Sequence, residues 1–363
     1  MVNQAGKVFV ALSGGVDSSA AAVLLCQEGF DCAGVFMITN DQARHAQADA
    51  ERTAKKLGIK LYVLDVRRDF EQILDYFCSE YKRGRTPNPC VLCNRYIKFG
   101  KLWDFARDNG ADLLATGHYA RILRVNNRVG LYEAVNPVKD QSYALAMIKK
   151  EVLGHIILPM GKHSKDQTRQ IAAKFGLELE QKKESQEICF IPNDDYVSVL
   201  EEKCPELVRK GDIVDSSGRV LGEHNGVHRF TIGQRRGLGV AMGRPYYVVN
   251  IDAETNTVTL GPKEEVMHRK LFATGMNWLE DAPTLVFDKK TWGFRAEVKI
   301  RYNDEGASAM VSPQDDGVFV EFDEPVSAIT PGQLAVFYVQ NELGSRVVGG
   351  GWIRSAQQCC CEG

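Results

Sequence analysis

The stretch that decides the fold is VFVALSGGVDSSAAAVLL, which runs from Val8 to Leu25. Its first five residues are apolar, which is typical of a buried strand, and the stretch from Ala20 to Leu25 is rich in helix formers. Between them lie two adjacent glycines and three serines, a composition that favours a tight turn with hydroxyl donors. A helix that begins near Asp17 points its free N–H groups into this turn, so the sequence predicts an anion site suited to phosphate or pyrophosphate. The alternative is an ordinary βα turn, which does not require so many small polar residues.

Neighbouring segments extend this pattern into a domain. Up to about Pro192, strand-like and helix-like stretches alternate, which predicts an α/β fold with a Rossmann-like parallel sheet. The turn is not a Walker A loop, because no Gly-Lys-Ser/Thr follows it, and it lacks the glycine spacing of a dinucleotide-binding loop. Ligands of such sheets bind where strands end, so we expect Met37 and Thr116–His118 to meet the Ser13–Ser18 turn around one ligand.

The rest of the chain predicts two further domains. We expect the α/β domain to span residues 1–200, a small turn-rich central domain to span 201–268, and a β-barrel or sandwich of short strands to span 269–355. Residues 356–363 form a tail with three consecutive cysteines, for which a frayed end is the simplest interpretation.

Composition and charge exclude some classes of protein. The chain has 363 residues and a formal net charge of −2, so it is not a globally basic nucleic-acid binder, although local basic patches still allow RNA contact. It has no apolar run of transmembrane length, and its first residues lack the apolar core of a signal peptide. We therefore expect a cytoplasmic protein.

Two separated segments carry the cysteines of most interest among the ten in the chain. GRTPNPCVLCNRYIKF, residues 84–99, contains Cys90 and Cys93 in a loop that two prolines should stiffen. QKKESQEICFIPN, residues 181–193, contains Cys189, and its two lysines, Lys182 and Lys183, should lower the pKa of that thiol.

Three interpretations of these cysteines remain open at this point. They are two catalytic thiols, one from each segment, or they are structural cysteines far apart in space. Alternatively, Cys90, Cys93 and Cys189 supply three thiolates to a [4Fe–4S] cluster or to zinc, with one open position. A single Cys-x-x-Cys does not decide among them.

The chain resembles a known family through a series of motifs. SGGVDSS is similar to the PP-loop of ATP pyrophosphatases, enzymes that adenylate a substrate. The motifs that follow resemble those of the bacterial tRNA-specific 2-thiouridylase family, appear in the family's order and cover nearly the whole chain: GRTPNPCVLCNRYIKFG, ATGHYAR, KDQSYAL, KESQEICFI, HRFTIGQRRGLG and TPGQLAVFY.

This resemblance implies an ATP-dependent transferase that places sulfur on C2 of the wobble uridine, position 34, in tRNAs for Lys, Glu and Gln. ATP, with Mg²⁺, adenylates the C2 oxygen and pyrophosphate leaves. A persulfide sulfur, supplied by a cysteine desulfurase or a relay protein, then displaces AMP.

The resemblance also assigns residues by motif. Cys189 bears the persulfide and Cys93 is the nucleophile that releases the sulfur, which can leave a Cys93–Cys189 disulfide. The residues implied to contact ATP are Ala11, Leu12, Ser13, Gly14, Gly15, Val16, Asp17, Ser18, Met37 and Gly117. Those implied to contact the target base are Asn88, Pro89 and Cys90, and those implied to contact tRNA are Lys139, Asp140, Gln141, Arg301 and Tyr302.

One position departs from the family. Many members carry an acidic residue where this chain has Cys90, and a thiol of pKa about 8.5 does not replace a carboxylic acid of pKa about 3.9. The alternative mechanism is therefore delivery of sulfide through a [4Fe–4S] cluster on Cys90, Cys93 and Cys189. Two other functions compete with thiolation: another PP-loop adenylating ligase, which leaves the paired cysteine segments without a role, and a non-catalytic RNA-binding protein, which leaves SGGVDSS unexplained.

Overall fold

The computed structural model describes residues 6–125, 128–177, 188–191, 193, 195–240, 243–280 and 293–357. No helix in these ranges is long and apolar enough to cross a membrane.

A five-stranded parallel sheet forms the core of the first part of the chain. Its strands lie in the order β3-β2-β1-β4-β7. The chain places β2 and β3 on one side of β1 and then places β4 and β7 on the other side. The strands up to β7 are β1 (Lys7–Ala11), β2 (Asp31–Ile38), β3 (Lys60–Asp65), β4 (Leu113–Ala115), β5 (Arg121–Val125), β6 (Arg128–Tyr132) and β7 (Ile156–Ile157). The predicted Rossmann-like α/β fold is confirmed, and the point between β1 and β4 is where such sheets bind ligands.

Helices pack on both faces of this sheet through apolar clusters. The helices are α1 (Val16–Gln27), α2 (Arg44–Leu57), α3 (Arg67–Lys82), α4 (Pro89–Leu92), α5 (Leu102–Asp108), α6 (Ser142–Leu145), α7 (Lys150–Leu153), α8 (Lys165–Lys174) and α9 (Tyr196–Lys203). A π-helical segment, Cys93–Lys101, joins α4 to α5. The expected rigid loop around the Cys-x-x-Cys is therefore shorter than the sequence suggests: Pro89 occupies the first helical position, where its missing N–H costs nothing, so Cys90 and Cys93 are helical.

The central part of the chain forms a small four-stranded sheet. Its strands are β8 (Gly211–Asp215), β9 (Val220–His224), β10 (Tyr247–Asp252) and β11 (Thr257–Gly261), in the order β10-β11-β8-β9. Ile213, Val248 and Val258 fill its core.

The last six strands close into a β-barrel, because β12 pairs with both β15 and β17. They are β12 (Met267–Trp278), β13 (Phe294–Lys299), β14 (Ala307–Gln314), β15 (Gly317–Ser327), β16 (Leu334–Asn341) and β17 (Gly344–Gln357). The predicted barrel is confirmed. The β5–β6 hairpin, which belongs to the first part of the chain, also pairs with β17 and extends this sheet.

Tyr143 links α6 to the barrel. Its side chain is fully buried, and its hydroxyl donates to the Leu334 carbonyl at 2.8 Å and accepts from the Leu334 N–H at 3.2 Å. One side chain thus satisfies both backbone groups at the start of β16.

We predict that Tyr143→Phe destabilises the protein by about 1–3 kcal/mol, because it leaves a buried carbonyl and a buried N–H without partners. Urea unfolding followed by tryptophan fluorescence measures the effect. Tyr96→Phe is the matched control, because Tyr96 is 56% exposed, and its midpoint should not move. Equal midpoints for Tyr143→Phe and the wild-type protein would contradict the role given to this hydroxyl.

Candidate active site

The turn between β1 and α1 has the geometry of an anion site. Gly14 has a φ of +74°, and a Cβ at this position would lie 2.3 Å from the Ala46 carbonyl oxygen, so only glycine fits. The Ser18 hydroxyl accepts from the Ser13 N–H at 3.2 Å and donates to the Gly15 carbonyl at 3.0 Å, which fixes the turn from within. Gly15 occupies the N-cap, where no side chain caps α1, so the first-turn N–H groups face the site.

The end of β4 lies directly against this turn. A Cβ on Gly117 would lie 2.7 Å from both the Asp17 carbonyl carbon and the Ser18 nitrogen, so this position also requires glycine. Met37 lies near the end of the adjacent strand β2. The structure therefore brings Met37, Gly117 and the Ser13–Ser18 turn to the same edge of the sheet, as the sequence predicts; that they contact ATP stays a prediction.

Asp17 is held by residues from two other segments. The Tyr119 hydroxyl donates to its carboxylate at 2.7 Å, and the Lys165 ammonium lies 2.7 and 2.8 Å from its two oxygens. Sequence reasoning missed both partners, because they are 102 and 148 residues away along the chain.

The three cysteines of interest meet around one cation, Lys98. Cys90 and Cys189 are exposed, Cys93 is half-buried, and all three are free thiols. The Lys98 ammonium acts on the pKa of each of them. The structural interpretation, in which the two cysteine segments lie far apart, is therefore wrong, whereas the predicted Cys93–Cys189 disulfide stays a prediction.

The π-helical segment explains how Lys98 faces Cys93. Hydrogen bonds of a π-helix join residues five apart, so such residues lie about one turn apart on one side of the helix. In an α-helix, with 3.6 residues per turn, they would point in different directions. The Lys98 Nζ also lies 3.3 Å from His118 Nε2, at the end of β4. The lysine therefore connects the thiols to the edge of the sheet that carries the anion turn.

Burial dominates the electrostatics of the thiols. It raises the pKa of Cys90, of Cys93 and of Cys189, the last to about 11, while Lys98 opposes each rise. Cys90 and Cys189 nevertheless keep accessible surface, so the region around Lys98, which is called the recess below, is open to solvent. The expectation of a lowered pKa at Cys189 is wrong for this arrangement, and the two lysines behind it, Lys182 and Lys183, lie outside the described residues.

The His118 ring is neutral at pH 7. Burial, and then the Lys98 charge, hold the pKa of His118 well below its usual range. Its Nδ1 lies 2.7 Å from the Thr116 hydroxyl, so a ring protonated on Nδ1 donates to Thr116 and accepts from Lys98. The imidazole thus orients the lysine without adding a second positive charge.

The three thiols are not arranged as the ligands of a single metal ion. Among the described residues, no three His, Cys, Asp or Glu side chains are arranged to hold a metal ion, and Cys90, Cys93 and Cys189 all lie within that part of the chain. In a [4Fe–4S] cluster each thiolate binds a different iron, so a cluster on Cys90, Cys93 and Cys189 stays a prediction.

The barrel contributes Tyr302 to the same recess. Burial raises the pKa of Tyr302, and the neighbours that act on it are Asp140, Gln141 and Cys90. Its side chain is still 42% exposed, and its ring lies edge-on to Tyr143 at 6.3 Å between centroids. An aromatic face that is exposed beside the thiols suits stacking of a nucleobase.

The other residues predicted to contact tRNA differ in their exposure and in their hydrogen bonds. The Asp140 carboxylate accepts from the Ala134 N–H at 2.7 Å and from the Ser142 hydroxyl at 2.6 Å, so it organises its own loop. Lys139 is half-buried, and Arg301 is exposed near the Ser327 carbonyl. Contact of these residues with tRNA stays a prediction.

Hydrogen bonds from the barrel fix the segment that precedes the Cys-x-x-Cys. The Thr86 N–H donates to the Pro331 carbonyl at 3.0 Å, and the Gln333 amide donates to the Thr86 and Pro87 carbonyls at 2.9 and 3.3 Å. Asn88 and Pro89, both predicted to contact the target base, follow immediately. The motif TPGQ is the signal that could have found Gln333, but its partners lie almost 250 residues away.

Comparison with known families covers three consecutive parts of the chain. Residues 6–193 match the family described as tRNA methyl transferase HUP domain, residues 198–262 the tRNA methyl transferase PRC-barrel domain, and residues 268–353 the aminomethyltransferase beta-barrel domain.

Several curated proteins are similar over almost the full chain. The tRNA-specific 2-thiouridylase MnmA of Carboxydothermus hydrogenoformans is 45% identical over 96% of this chain and 97% of its own length. The protein of the same name from Pelobacter propionicus is 46% identical over 96% of this chain and 98% of its own length. A solved 4-thiouridine synthetase–RNA complex with bound ATP overlaps only in part, with a TM-score of 0.36 and 17% identity over 55% of this chain and 51% of that chain.

We predict that the Cys189 thiol reacts slowly in the resting protein. A pKa of about 11 leaves it about 100-fold less ionised at pH 8 than a thiol at the ordinary value of 9.0, and the thiolate is the reactive form. Iodoacetamide should therefore modify Cys189 about 100-fold more slowly in the folded, reduced protein than in the urea-unfolded chain, as measured by mass spectrometry of the Cys189 peptide. A rate that levels off below pH 9 would contradict the raised pKa.

Proposed function

The chain belongs to the tRNA-specific 2-thiouridylase family, and on that basis we propose that it thiolates C2 of the wobble uridine, position 34, in tRNAs for Lys, Glu and Gln. The sulfur travels as a persulfide on Cys189. The observation that carries this proposal is that Cys93 and Cys90 act on the pKa of Cys189, and Cys90 also acts on that of the exposed Tyr302, so the thiols and an aromatic ring of the C-terminal part lie together.

The anion turn supports the first step, adenylation of the uridine. ATP enters as its magnesium complex, with its β- and γ-phosphates on the Ser13–Ser18 turn, where backbone N–H groups stabilise the charge of the leaving group. The uridine C2 oxygen attacks the α-phosphorus. The bond from the α-phosphorus to its bridging oxygen breaks, and pyrophosphate leaves with the bonding pair. The N3 proton of the uracil is released as a C2=N3 double bond forms.

The thiols support the second step, sulfur transfer. A cysteine desulfurase or relay protein first loads Cys189 with sulfur. The terminal sulfur of the Cys189 persulfide attacks C2 and AMP leaves. The Cys93 thiolate then attacks the Cys189 Sγ, and the sulfur on C2 departs with the bonding pair and is retained on the base. Protonation at N3 gives 2-thiouridine, and an external thiol reductant reduces the remaining Cys93–Cys189 disulfide.

Lys98 favours both halves of the sulfur transfer. Its ammonium opposes the burial that keeps Cys93 and Cys189 protonated, and so raises the fraction of each that is ionised. When the base lies between Tyr302 and the thiols, the same positive charge is close to the oxygen that joins C2 to AMP. This oxygen becomes negative as AMP leaves, and the charge of Lys98 stabilises it.

The base has a route into this recess. Anticodon loops are single-stranded, so the uridine leaves its stack at little cost and gains a new stack on Tyr302. The exposed Arg301 beside it suits a phosphate of the anticodon loop. We place the reaction in the cytoplasm, where tRNA is available and thiols are kept reduced.

Each competing function gives a role to only some of the residues described above. A cluster on Cys90, Cys93 and Cys189 would use the thiols, but no three side chains of the described residues are arranged to hold one metal ion. An adenylating ligase of another kind would use the anion turn but not the thiols around Lys98. A non-catalytic RNA-binding protein would use Arg301 and Tyr302 but not the anion turn.

We predict that substitution of Cys189 and substitution of Cys93 block the reaction at different steps. Cys189→Ser should abolish 2-thiouridine formation on an unmodified tRNA-Glu transcript, scored by retardation in a mercury-containing gel, yet still release pyrophosphate. The Cys93→Ser variant should accumulate a covalent adduct in which Cys189 is joined to C2 of the uridine through a C2–S–S linkage. Dithiothreitol should cleave this linkage. A transcript with cytidine at position 34 is the substrate control and should gain no sulfur.

Cys90→Ser separates the persulfide route from the cluster. The persulfide route predicts that this variant keeps thiolation within about tenfold of the wild-type protein, in protein prepared with or without iron, because Cys90 carries no sulfur. Complete loss of thiolation in Cys90→Ser, together with dependence of the wild-type protein on bound iron, would contradict it.

A further inference from the structure

A tight turn carries Cys189. The Ile191 N–H donates to the Ile188 carbonyl at 2.8 Å, so Cys189 and Phe190 are the two central residues of this turn. Cys189 is exposed, whereas Ile191 is 5% exposed and belongs to the same apolar cluster as Phe77 of α3. The turn therefore presents the thiol to solvent while its apolar side chains attach it to the protein.

The Phe190 ring lies against two aromatic rings of α3. Phe70 and Phe77 are two helical turns apart, so their side chains project from one face of the helix. The centroid of the Phe190 ring lies 5.7 Å from that of Phe70 and 5.3 Å from that of Phe77, with interplanar angles of 80° and 85°. Both partners are buried. Edge-on contacts with two buried rings give Phe190 one preferred position.

The same packing connects this turn to Cys93. Phe70 packs with Leu92 and Ile97 in one buried cluster, and both Cys93 and Phe190 pack against that cluster. Leu92 immediately precedes Cys93, and Ile97 follows it in the π-helical segment. The two thiols that the proposed sulfur transfer brings together are thus attached to a common apolar core, one of them through Phe190.

Electrostatic attraction does not set the distance between these thiols in the resting protein. Burial raises the pKa of both Cys93 and Cys189, so both are neutral at pH 7, and the Lys98 ammonium attracts only their thiolates. The apolar contacts of Phe190 act in either ionisation state. Packing therefore has to hold the thiols near each other before either one ionises.

We propose that Phe190 is a positioning residue for sulfur transfer, because its packing on α3 sets the distance between the sulfur atoms of Cys189 and Cys93. This inference rests on the proposed function, in which the Cys93 thiolate attacks the Cys189 Sγ and a disulfide remains. Such an attack needs the two sulfur atoms in contact and aligned. A turn that is held in one place raises the effective concentration of one thiol near the other.

The test measures how readily the two thiols join, without tRNA or ATP. Oxidised dithiothreitol takes two electrons from Cys93 and Cys189, their protons end on the two dithiothreitol thiols, and the Cys93–Cys189 disulfide forms. The mixture is quenched with acid at several ratios of oxidised to reduced dithiothreitol, and the remaining thiols are alkylated. Mass spectrometry of the linked peptide then gives the equilibrium constant.

We expect Phe190→Ala to lower this equilibrium constant at least tenfold, which is a rise of about 30 mV in the reduction potential of the disulfide. Loss of the ring frees the turn to move, so the Cys189 thiol spends less time beside Cys93. Phe190→Leu keeps an apolar side chain of similar size and should stay within about threefold of the wild-type value.

Phe319→Ala is the matched control. Phe319 is a partly buried phenylalanine of β15 in the barrel, with the Lys270 ammonium over its ring. This variant loses an equivalent side chain and should keep the wild-type equilibrium constant. If Phe190→Ala does not fold, Phe190→Val replaces it in the same measurement, and we expect a decrease of at least threefold.

Three results would overturn the proposal: an unchanged equilibrium constant in the folded Phe190 variant, an equal decrease in Phe319→Ala, or a wild-type protein that forms no Cys93–Cys189 disulfide. Failure of the proposed function gives a different result. Wild-type protein that forms the disulfide but thiolates no tRNA would refute thiolation, and the comparison of the Phe190 variants would still be decided.

Discussion

The hydrogen bonds from the barrel to Thr86 and Pro87 are the contacts on which the rest of the site depends. Gln333 and Pro331 pair with the backbone of a segment that two prolines already make stiff, so the chain enters α4 at a fixed place. The thiols of Cys90 and Cys93 come from that helix and the π-helical turn after it. The reactive part of the α/β domain is thus positioned by the barrel.

This dependence explains why one recess can serve two reactions in sequence. The anion turn lies at the carboxyl edge of the parallel sheet, and Gly117 lets the end of β4 reach it. His118, the next residue, holds Lys98 among the thiols. One short segment, Gly117–His118, therefore contacts both the anion turn and the lysine that lies among the thiols.

Local patterns predict most of the fold and the centre of the site. The strand before SGGVDSS, the helix after it and the alternation up to β4 depend on neighbouring residues, and the structure confirms them. Contacts between distant segments are not encoded in any local pattern. The β5–β6 hairpin pairs with β17, a strand of the barrel that follows it by more than two hundred residues, and Lys165 reaches Asp17 from α8. The π-helix also escapes prediction, because its composition is that of an ordinary helix and only its packing shows the wider turn.

The most direct test of the account follows the uridine oxygen. A tRNA that carries ¹⁸O only at C2 of the uridine at position 34 is thiolated with ATP and a sulfur source, and the released AMP is analysed by mass spectrometry. Adenylation of C2–O predicts one ¹⁸O atom in each AMP, because the bond between the oxygen and the phosphorus persists when sulfur displaces AMP from carbon. Unlabelled AMP, with the ¹⁸O in water or in phosphate, would contradict the account.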